Sequence, residues 1–316
     1  MLAALKRLSY QELDYKTERA LKNLQEPKIK ILYKMWDHAI DAGDHEIPVR
    51  MFMPNTKISS EIFVFFHGGG WVSGNIETYT RPCANLANYT GRRVISVDYR
   101  LAPEYPFPCA VDDCYIATRE IVKYCDLFEI TPDDLILIGD SAGGNLAAVV
   151  SLKARDTCEF NIKRQVLIYP ALYNDYSETS PFASVRENGT DYMLTTKRIC
   201  DYLDLYLQNA ADFHNPYFTP LLAADLSAQP DTLIFTSEFD PLRDEGEEYG
   251  RRLRKAGSYV EIHRITDALH GYFTLPARFT HVKQTFKIIN SFLGIPYINA
   301  SRKETIANEN QLEQAR

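Results

Sequence analysis

The chain has 316 residues, of which 45% are hydrophobic and 24% charged, and its formal net charge is -7 at pH 7. This length accommodates one large α/β domain or two small ones, and the composition is that of an ordinary globular protein. The acidic balance, without a long basic run, argues against nucleic acid or an anionic membrane surface as a main partner.

Features that would indicate secretion, a membrane anchor or a metal site are missing from the sequence. The N-terminal stretch MLAALKRLSYQELDYKTER lacks the apolar core of a secretory signal, and no apolar run is long enough to span a bilayer. The cysteines and histidines show neither a C-x-x-C pair nor the spacing of zinc ligands. We therefore expect a cytoplasmic protein with reduced cysteines, no metal, no cofactor and no stable membrane insertion.

Helical and strand patterns alternate along most of the chain. Residues 8–32 are expected to be helical, with Pro27 breaking or bending the segment, and residues 46–53 alternate as in a strand. Apolar runs follow at 62–66, 94–97, 135–138, 166–169, 233–236 and 260–265, and helical patterns lie at about 110–126, 142–155, 243–257 and 278–293. Continuous apolar runs are typical of strands covered on both faces. We predict an α/β fold with a mostly parallel central sheet and helices on both faces.

One interval is too long for a plain crossover between neighbouring strands. Roughly sixty residues separate the runs at 166–169 and 233–236, and they include a helical pattern at about 196–210. This indicates an insertion over one face of the sheet, acting as a lid or cap. The last segment, SRKETIANENQLEQAR, is polar and is expected to be frayed or to form a loose helix.

A serine stands on a predicted strand-to-helix turn. The stretch ILIGDSAGGN, residues 136–145, places Ser141 between Gly139 and Gly143 as G-x-S-x-G. A nucleophile on such a sharp turn projects its hydroxyl clear of the sheet, and the flanking glycines avoid clashes between strand and helix. The alternative is an ordinary helix start capped by Asp140 or Ser141. The strand–turn–helix context favours the catalytic interpretation.

A serine nucleophile needs a base and an acid that orients it, and on such turns the chain order is serine, acid, histidine. Among the later histidines, only His270 follows a strand directly. For the acid, Asp240 stands just past the run at 233–236 and is the first choice, with Glu238 second. Asp244 is better explained as a first-turn charge of the next helix. Asp267 is too near His270 to project from a separate strand end.

The stretch FVFFHGGGWVSGN, residues 63–75, puts three glycines directly after an apolar run. Its Gly-x₄-Gly spacing matches a phosphate-binding loop, but Asn75 and Ile76 stand where lysine and serine or threonine are needed. The glycines instead suit a turn whose backbone N–H groups face a developing negative charge.

Four motifs in this order resemble the hormone-sensitive-lipase-like (family IV) esterases of the α/β-hydrolase superfamily. They are HGGGW at 67–71, DYRLAPE at 98–104, GDSAGGN at 139–145 and DPLRD at 240–244. The resemblance covers about residues 45–295 and implies an α/β-hydrolase fold with a helical cap. It assigns residues 1–40 to an N-terminal helical region that contributes to the cap, 41–295 to the hydrolase domain with a cap insertion at about 180–212, and 296–316 to a polar tail.

The same resemblance implies roles for individual residues. It implies a catalytic triad and an oxyanion hole, with His67 fixing the shape of the glycine loop. The implied triad is Ser141, Asp240 and His270, and the implied oxyanion hole consists of the N–H groups of Gly69, Gly70 and Ala142. Five aromatic residues flank the motifs and are candidates for lining the site, with core packing as the alternative: Trp71, Tyr99, Phe239, Tyr272 and Phe273.

The function expected from these features is that of a serine carboxylesterase acting on short-chain acyl esters through an acyl-enzyme intermediate. Two alternatives stay open. One is a deacetylase or an amide or formamide hydrolase that uses the same triad, and the other is a non-catalytic small-molecule receptor on the same fold. The expected partner is a small-molecule ester, and a homodimer remains open.

Overall fold

An eight-stranded sheet organises the chain in the computed structural model, which describes residues 15–24 and 33–294. The strands are β1 (Met35–Asp41), β2 (Glu46–Phe52), β3 (Ile62–Phe66), β4 (Arg93–Val97), β5 (Leu135–Asp140), β6 (Arg164–Ile168), β7 (Asp231–Phe239) and β8 (Val260–Leu269). Their order is β1-β2-β4-β3-β5-β6-β7-β8. The pairs β1/β2 and β2/β4 are antiparallel, and every pair from β4 to β8 is parallel.

Helices cover both faces of this sheet. They are α1 (Tyr15–Leu24), α2 (Thr80–Thr90), α3 (Cys109–Lys123), α4 (Ala142–Thr157), α5 (Ala183–Asn188), α6 (Thr196–Tyr206), α7 (Arg243–Lys255) and α8 (Thr280–Phe292). Short 3₁₀ helices span Cys125–Phe128, Pro132–Asp134, Ala210–His214, Pro220–Leu222 and Tyr272–Thr274. Side chains alternate along each strand, so Val64 packs with α3, α4 and α7, while Phe63 and Phe65 pack with α2 and α8.

The predicted mostly parallel sheet with helices on both faces is confirmed. The central strands are continuous apolar runs because both of their faces are covered; every residue of β3 and β4 is buried. Of the helix expected at 8–32, the structure describes α1; the rest of that range and the tail at 296–316 lie outside the described residues.

Two elements differ from the expectations. The sheet begins at Met35, so residues 35–40, which were expected to belong to the helical region at 1–40, lie in strand β1. This edge strand is mostly exposed and therefore lacks the alternating pattern that marks a half-buried strand. Helix α2 was not predicted, although eight of its eleven residues are buried. The division into a helical region at 1–40, a hydrolase domain at 41–295 and a polar tail stays a prediction.

Helices α1 and α6 lie near the glycine loop that follows β3. Helices α5 and α6 occupy the long interval between β6 and β7, inside the expected insertion. From α1, the Arg19 guanidinium donates to the backbone oxygen atoms of Val72 and Ala102, both at 2.6 Å. Within residues 15–24 and 33–294, no helix combines the length and apolar character needed to cross a bilayer.

Candidate active site

The predicted site residues lie at the carboxyl ends of parallel strands, where their side chains meet at one edge of the sheet. Ser141 directly follows β5, Asp240 directly follows β7 and His270 directly follows β8. The glycine loop follows β3, which pairs with β5 in the middle of the sheet. The topology therefore brings Ser141 and His270 together, although they are 129 positions apart in the sequence.

The backbone of Ser141 has the strained geometry expected of a nucleophile on a sharp turn. Its φ of 56° and ψ of -120° lie in a region that side-chain-bearing residues rarely adopt. A Cβ atom on Gly139 would collide with the backbone of Gly143, and one on Gly143 would collide with the backbone of Phe66. Only glycine fits at both positions, so helix α4 can approach the strands closely enough to hold the turn.

A continuous chain of hydrogen bonds joins the serine, histidine and aspartate. His270 Nε2 lies 2.9 Å from Ser141 Oγ, and His270 Nδ1 lies 2.7 Å from Asp240 Oδ2. A carboxylate only accepts, so Nδ1–H donates to Asp240, and in the neutral ring Nε2 is then free to accept from the serine hydroxyl. The Ser141 side chain makes no capping hydrogen bond to α4. The helix-cap alternative therefore does not describe this serine.

Asp240 is buried and hydrogen-bonded to His270, whereas the alternative acids bond to other groups. Asp240 is fully buried, and its Oδ1 accepts a hydrogen bond from the N–H of Leu242 at 2.9 Å. The second-choice acid, Glu238, accepts from the N–H of Asp267 at 2.7 Å through Oε2. Asp244 accepts from the N–H of Ser184 and pairs with Arg243. Of these carboxylates, Asp240 is the one that contacts His270.

The carbonyl groups of the glycine loop fix the direction of its N–H groups. Gly69 O accepts from the N–H groups of Val72 and Ser73 and from Ser73 Oγ, at 3.0–3.2 Å. Because the peptide is trans, the N–H of Gly70 points away from Ser73. In the same way, His67 Nδ1 donates to Gly68 O at 2.9 Å, so the N–H of Gly69 points away from His67. The positive φ angles of Gly69 (126°) and Gly70 (63°) permit both orientations.

His67 and Tyr99 stabilise this loop through ring stacking and hydrogen bonds. The two rings stack with centroids 4.2 Å apart, and the Tyr99 hydroxyl donates to His67 O at 2.6 Å. Complete burial lowers the pKa of His67 to about 4, so its ring is neutral at pH 7. A neutral, stacked ring adds no charge near the nucleophile and holds the Gly68 carbonyl in place.

A cavity of about 470 Å³ opens over the serine. Ser141, His270, Gly69, Gly70 and Ala142 all line it. The apolar lining residues include Trp71, Pro82, Ala171, Met193, Leu194, Ile199 and Leu242. Three of them, Met193, Leu194 and Ile199, come from the segment that contains α6, so the insertion forms one wall of the cavity.

A buried carboxylate ties α1 to that wall. Glu18 Oε2 accepts from Arg198 Nη2 at 2.5 Å, Oε1 lies 2.8 Å from Lys22 Nζ, and the Tyr202 hydroxyl donates to Glu18 at 2.8 Å. Burial raises the pKa of Glu18, but the cations of Lys22 and Arg198 outweigh it and lower that pKa to about 2. No sequence motif marked Glu18, because its partner Arg198 is 180 positions away.

Most of the flanking aromatic residues belong to the core rather than to the cavity. Of the five named from the sequence, Trp71 lines the cavity and stacks on Tyr206 with centroids 4.6 Å apart. Tyr99 supports His67, and Phe239 stacks on Tyr192. Tyr272 and Phe273 are buried in the layer of α2 and α8. Proximity to a motif in the sequence therefore identified one lining residue, Trp71, among the five candidates.

Comparisons with known proteins agree with this geometry. A family model described as alpha/beta hydrolase fold matches residues 63–274. The arylesterase of Saccharolobus solfataricus is 37% identical over 241 residues, which are 76% of this chain and 77% of that protein. The ethyl acetate hydrolase of Pseudomonas putida is 34% identical over 235 residues, 73% of each protein.

Solved structures with the same fold lead to the same family. The hyperthermophilic esterase of Pyrobaculum calidifontis has a TM-score of 0.81 and 34% identity, with 92% of this chain and 95% of that chain covered. A thermostable esterase from Pseudomonas putida ECU1011 has a TM-score of 0.83 and 30% identity, with 91% and 92% covered. The chain therefore belongs to the hormone-sensitive-lipase-like esterases of the α/β-hydrolase superfamily.

Proposed function

We propose that this chain is a serine carboxylesterase that hydrolyses short-chain acyl esters, with Ser141, His270 and Asp240 as its catalytic triad. The observation that carries the proposal is the hydrogen-bonded chain of these three side chains, at 2.9 and 2.7 Å, beside a glycine loop in a cavity over the serine. This is the arrangement that activates a serine hydroxyl for attack on a carbonyl carbon.

In the acylation step, Ser141 Oγ bonds to the ester carbonyl carbon while its proton moves to His270 Nε2. The carbonyl oxygen becomes an oxyanion, which the N–H groups of Gly69, Gly70 and Ala142 stabilise; one such donor is worth roughly 10²–10³ in kcat. Collapse of this intermediate breaks the bond to the alkoxy oxygen, which takes the proton from Nε2 and leaves as the alcohol. The acyl group remains on Ser141.

In the deacylation step, water replaces the alcohol. His270 Nε2 takes a proton from the water as its oxygen attacks the acyl carbon, and the same N–H groups stabilise the second oxyanion. Collapse returns the proton to Ser141 Oγ and releases the carboxylic acid. Asp240 stays ionised throughout and keeps Nδ1 of His270 protonated.

A preference for small substrates follows from the size and lining of the cavity. Its volume of about 470 Å³ is at the lower end of the range typical of small-molecule sites, roughly 300–1,000 Å³. The names of two relatives, an arylesterase and an ethyl acetate hydrolase, are consistent with this preference. Hydrolysis of acetylated metabolites, amides or formamides by the same triad remains the alternative within this chemistry.

The test is a series of p-nitrophenyl esters, from acetate through butyrate and octanoate to palmitate, with Ser141→Ala as the control. We expect the highest kcat/KM for acetate or butyrate, and loss of turnover in Ser141→Ala. Faster turnover of palmitate than of butyrate would contradict the short-chain preference. Faster turnover of p-nitroacetanilide than of p-nitrophenyl acetate would favour the amide hydrolase.

Two further expectations from the sequence stay predictions. A cytoplasmic location is supported by the cysteines, all six of which are described and are free thiols. A homodimer is a default for proteins of this kind, and light scattering of the purified chain would test it.

A further inference from the structure

In a chain whose net charge is -7, the side chains that line the cavity over Ser141 include more cations than carboxylates. Among the described residues that line it, the cationic side chains are Lys22, Arg81 and Arg198, and the carboxylates are Glu18 and Asp140. Asp140 is 2% exposed, and its two oxygens accept hydrogen bonds from the Gly68 N–H and from two tyrosine hydroxyls. Its carboxylate is therefore buried and already hydrogen-bonded, whereas the side chains of Lys22 and Arg198 are partly exposed.

Glu18 cannot neutralise the cations that surround it. It pairs with Lys22 at 2.8 Å and with Arg198 at 2.5 Å, so one carboxylate is shared by two positive charges. The Lys22 side chain is 37% exposed and the Arg198 side chain 26% exposed, so both remain open to solvent while paired. This cluster carries a surplus of one positive charge next to the glycine loop.

Arg81 is the cation that lacks a partner of its own. It lies in the first turn of α2, and its neighbours Thr78, Tyr79 and Pro82 line the same cavity. Across residues 15–24 and 33–294, no carboxylate comes within ion-pairing distance of its guanidinium. Helix α2 packs against the turn that follows His270, from which Gly271 and Thr274 also line the cavity. Arg81 thus borders the space that a substrate bound at Ser141 occupies.

Hydrogen bonds link the end of the helix that carries Lys22 to the start of the helix that carries Arg81. The residue after Lys22, Asn23, accepts from Asn75 Nδ2 at 3.2 Å, and Asn75 Oδ1 accepts from the N–H of Thr78 at 2.8 Å. Asn75 therefore joins the end of α1 to the start of α2. Lys22 Nζ also donates to Ser73 Oγ at 2.7 Å, which fixes it beside the glycine loop.

We propose that this site prefers esters that carry a second, ionised carboxylate, which Arg81 binds while Lys22 contributes to the attractive field. The inference rests on the proposed esterase activity and specifies its substrate class. An arginine fork matches the two oxygens of a carboxylate, and a cleft with low-dielectric walls concentrates the field of its cations. A substrate anchored by its carboxylate at Arg81 presents its ester group to Ser141 with fewer free rotations.

The test compares anionic esters with neutral partners of matched shape. One pair is monoethyl succinate and its amide, ethyl succinamate, with the carboxylate on the acyl side. The other is acetoxyacetate and acetoxyacetamide, with the carboxylate on the alcohol side, so each compound has a single ester bond. The measured quantity is the ratio of kcat/KM for anionic to neutral ester in a pH-stat, for the wild type, Arg81→Gln, Lys22→Gln and Arg251→Gln. Arg251 is the matched control because it is an exposed arginine that does not line the cavity.

We expect the ratio to fall by about 10- to 100-fold in Arg81→Gln in at least one pair, as for the loss of a charge-assisted hydrogen bond. A smaller fall is expected in Lys22→Gln and none in Arg251→Gln. The affected pair shows whether the carboxylate lies on the acyl or the alcohol side. Added salt should lower wild-type kcat/KM for the anionic ester more than for its neutral partner, a result that does not depend on any variant.

The outcomes separate this inference from the proposed function. Hydrolysis of neutral esters, with ratios that neither Arg81→Gln nor salt changes in either pair, would overturn the carboxylate preference and leave the esterase activity intact. If the wild-type enzyme hydrolysed none of the four esters, both the carboxylate preference and the esterase activity would be overturned.

Discussion

Asp140 Oδ1 accepts a hydrogen bond from the backbone N–H of Gly68 at 2.9 Å. This contact joins the turn that carries Ser141 to the loop that carries Gly69 and Gly70, across 72 positions of sequence. The other oxygen, Oδ2, accepts from the Tyr79 and Tyr169 hydroxyls at 3.0 and 3.3 Å. We propose that Asp140 is a positioning residue that sets the distance between Ser141 and the proposed oxyanion donors.

Asp140→Ala should lower kcat about 100-fold with little change in KM, because the glycine loop loses its link to the serine turn and a donor of the oxyanion hole is displaced. Asp140→Asn keeps an acceptor for the Gly68 N–H, so it should retain activity within about 10-fold of the wild type. Steady-state kinetics with p-nitrophenyl butyrate measures both. Equal losses in the two variants would show that the hydrogen bond to Gly68 is not what matters.

Asp240→Asn should lower kcat by about 10⁴, because an amide no longer fixes His270 in the tautomer that accepts from Ser141. Glu238→Gln should stay within about 3-fold of the wild type, because the amide oxygen of glutamine still accepts from the Asp267 N–H. Both variants replace a carboxylate by an amide, at positions two residues apart. A larger loss in Glu238→Gln than in Asp240→Asn would move the orienting acid to Glu238.

Glu18→Gln should destabilise the fold by about 3 kcal/mol at pH 7, since the pKa of Glu18 is lowered from 4.5 to about 2 and each unit is worth about 1.4 kcal/mol. For a lowered pKa, this stability is present above pH 4.5 and is lost as the pH falls toward 2. Urea unfolding of the wild type and the variant measures the difference. Glu104→Gln is the control. Glu104 pairs with Arg19, which lies in α1 like Glu18, but the Glu104 side chain is 48% exposed. We therefore expect Glu104→Gln to lower the free energy of unfolding by less than about 1 kcal/mol. Equal costs would contradict the role of the buried cluster.

Glu245 should lower the stability of the wild-type fold as the pH rises from about 4.5 to about 8. Burial raises its pKa from 4.5 to about 8, and its Oε2 is buried with no hydrogen-bond partner, while Oε1 accepts from the N–H groups of Leu172 and Tyr173. The folded state therefore binds more protons than the unfolded state between these two pKa values, and stability falls as the pH rises through that window.

The Glu245→Gln side chain does not titrate, so the melting temperature of this variant should rise relative to that of the wild type between about pH 4.5 and about pH 8, with a constant difference above that range. Differential scanning calorimetry at several pH values follows this difference. Glu248→Gln, on the same helix and solvent-accessible, should keep a profile parallel to that of the wild type. Parallel profiles for Glu245→Gln and the wild type would mean that Glu245 is ionised in the fold at neutral pH.

The sequence predicted those features that depend on neighbouring residues. Gly139, Ser141 and Gly143 identify their turn locally, because a strand, a strained residue and a helix follow one another directly. The order of motifs then left His270 as the one later histidine directly behind a strand, and the structure places it beside Ser141. Strand β1 was missed for a related reason: an exposed edge strand has no buried face to impose a pattern.

Local sequence patterns could not predict the contacts between distant segments. The Glu18–Arg198 pair and the position of Arg81 at the cavity depend on how α1, α2 and α6 pack, which no local motif encodes. Asp240 could be ranked above Glu238 only by position, because the two differ in hydrogen-bond partners rather than in sequence context. The cavity wall formed by Met193, Leu194 and Ile199 likewise depends on the path of the insertion.

Covalent labelling tests the central claim most directly, because it asks whether Ser141 is the activated nucleophile. The enzyme is treated with paraoxon, and the modified residue is identified by intact mass and peptide mapping, with Ser141→Ala and Asp240→Asn treated in parallel. We predict stoichiometric modification of Ser141 with matching loss of esterase activity, no modification of Ser141→Ala, and much slower labelling of Asp240→Asn. Full inactivation with the label on a different residue, or esterase activity that persists with Ser141 fully labelled, would contradict the account.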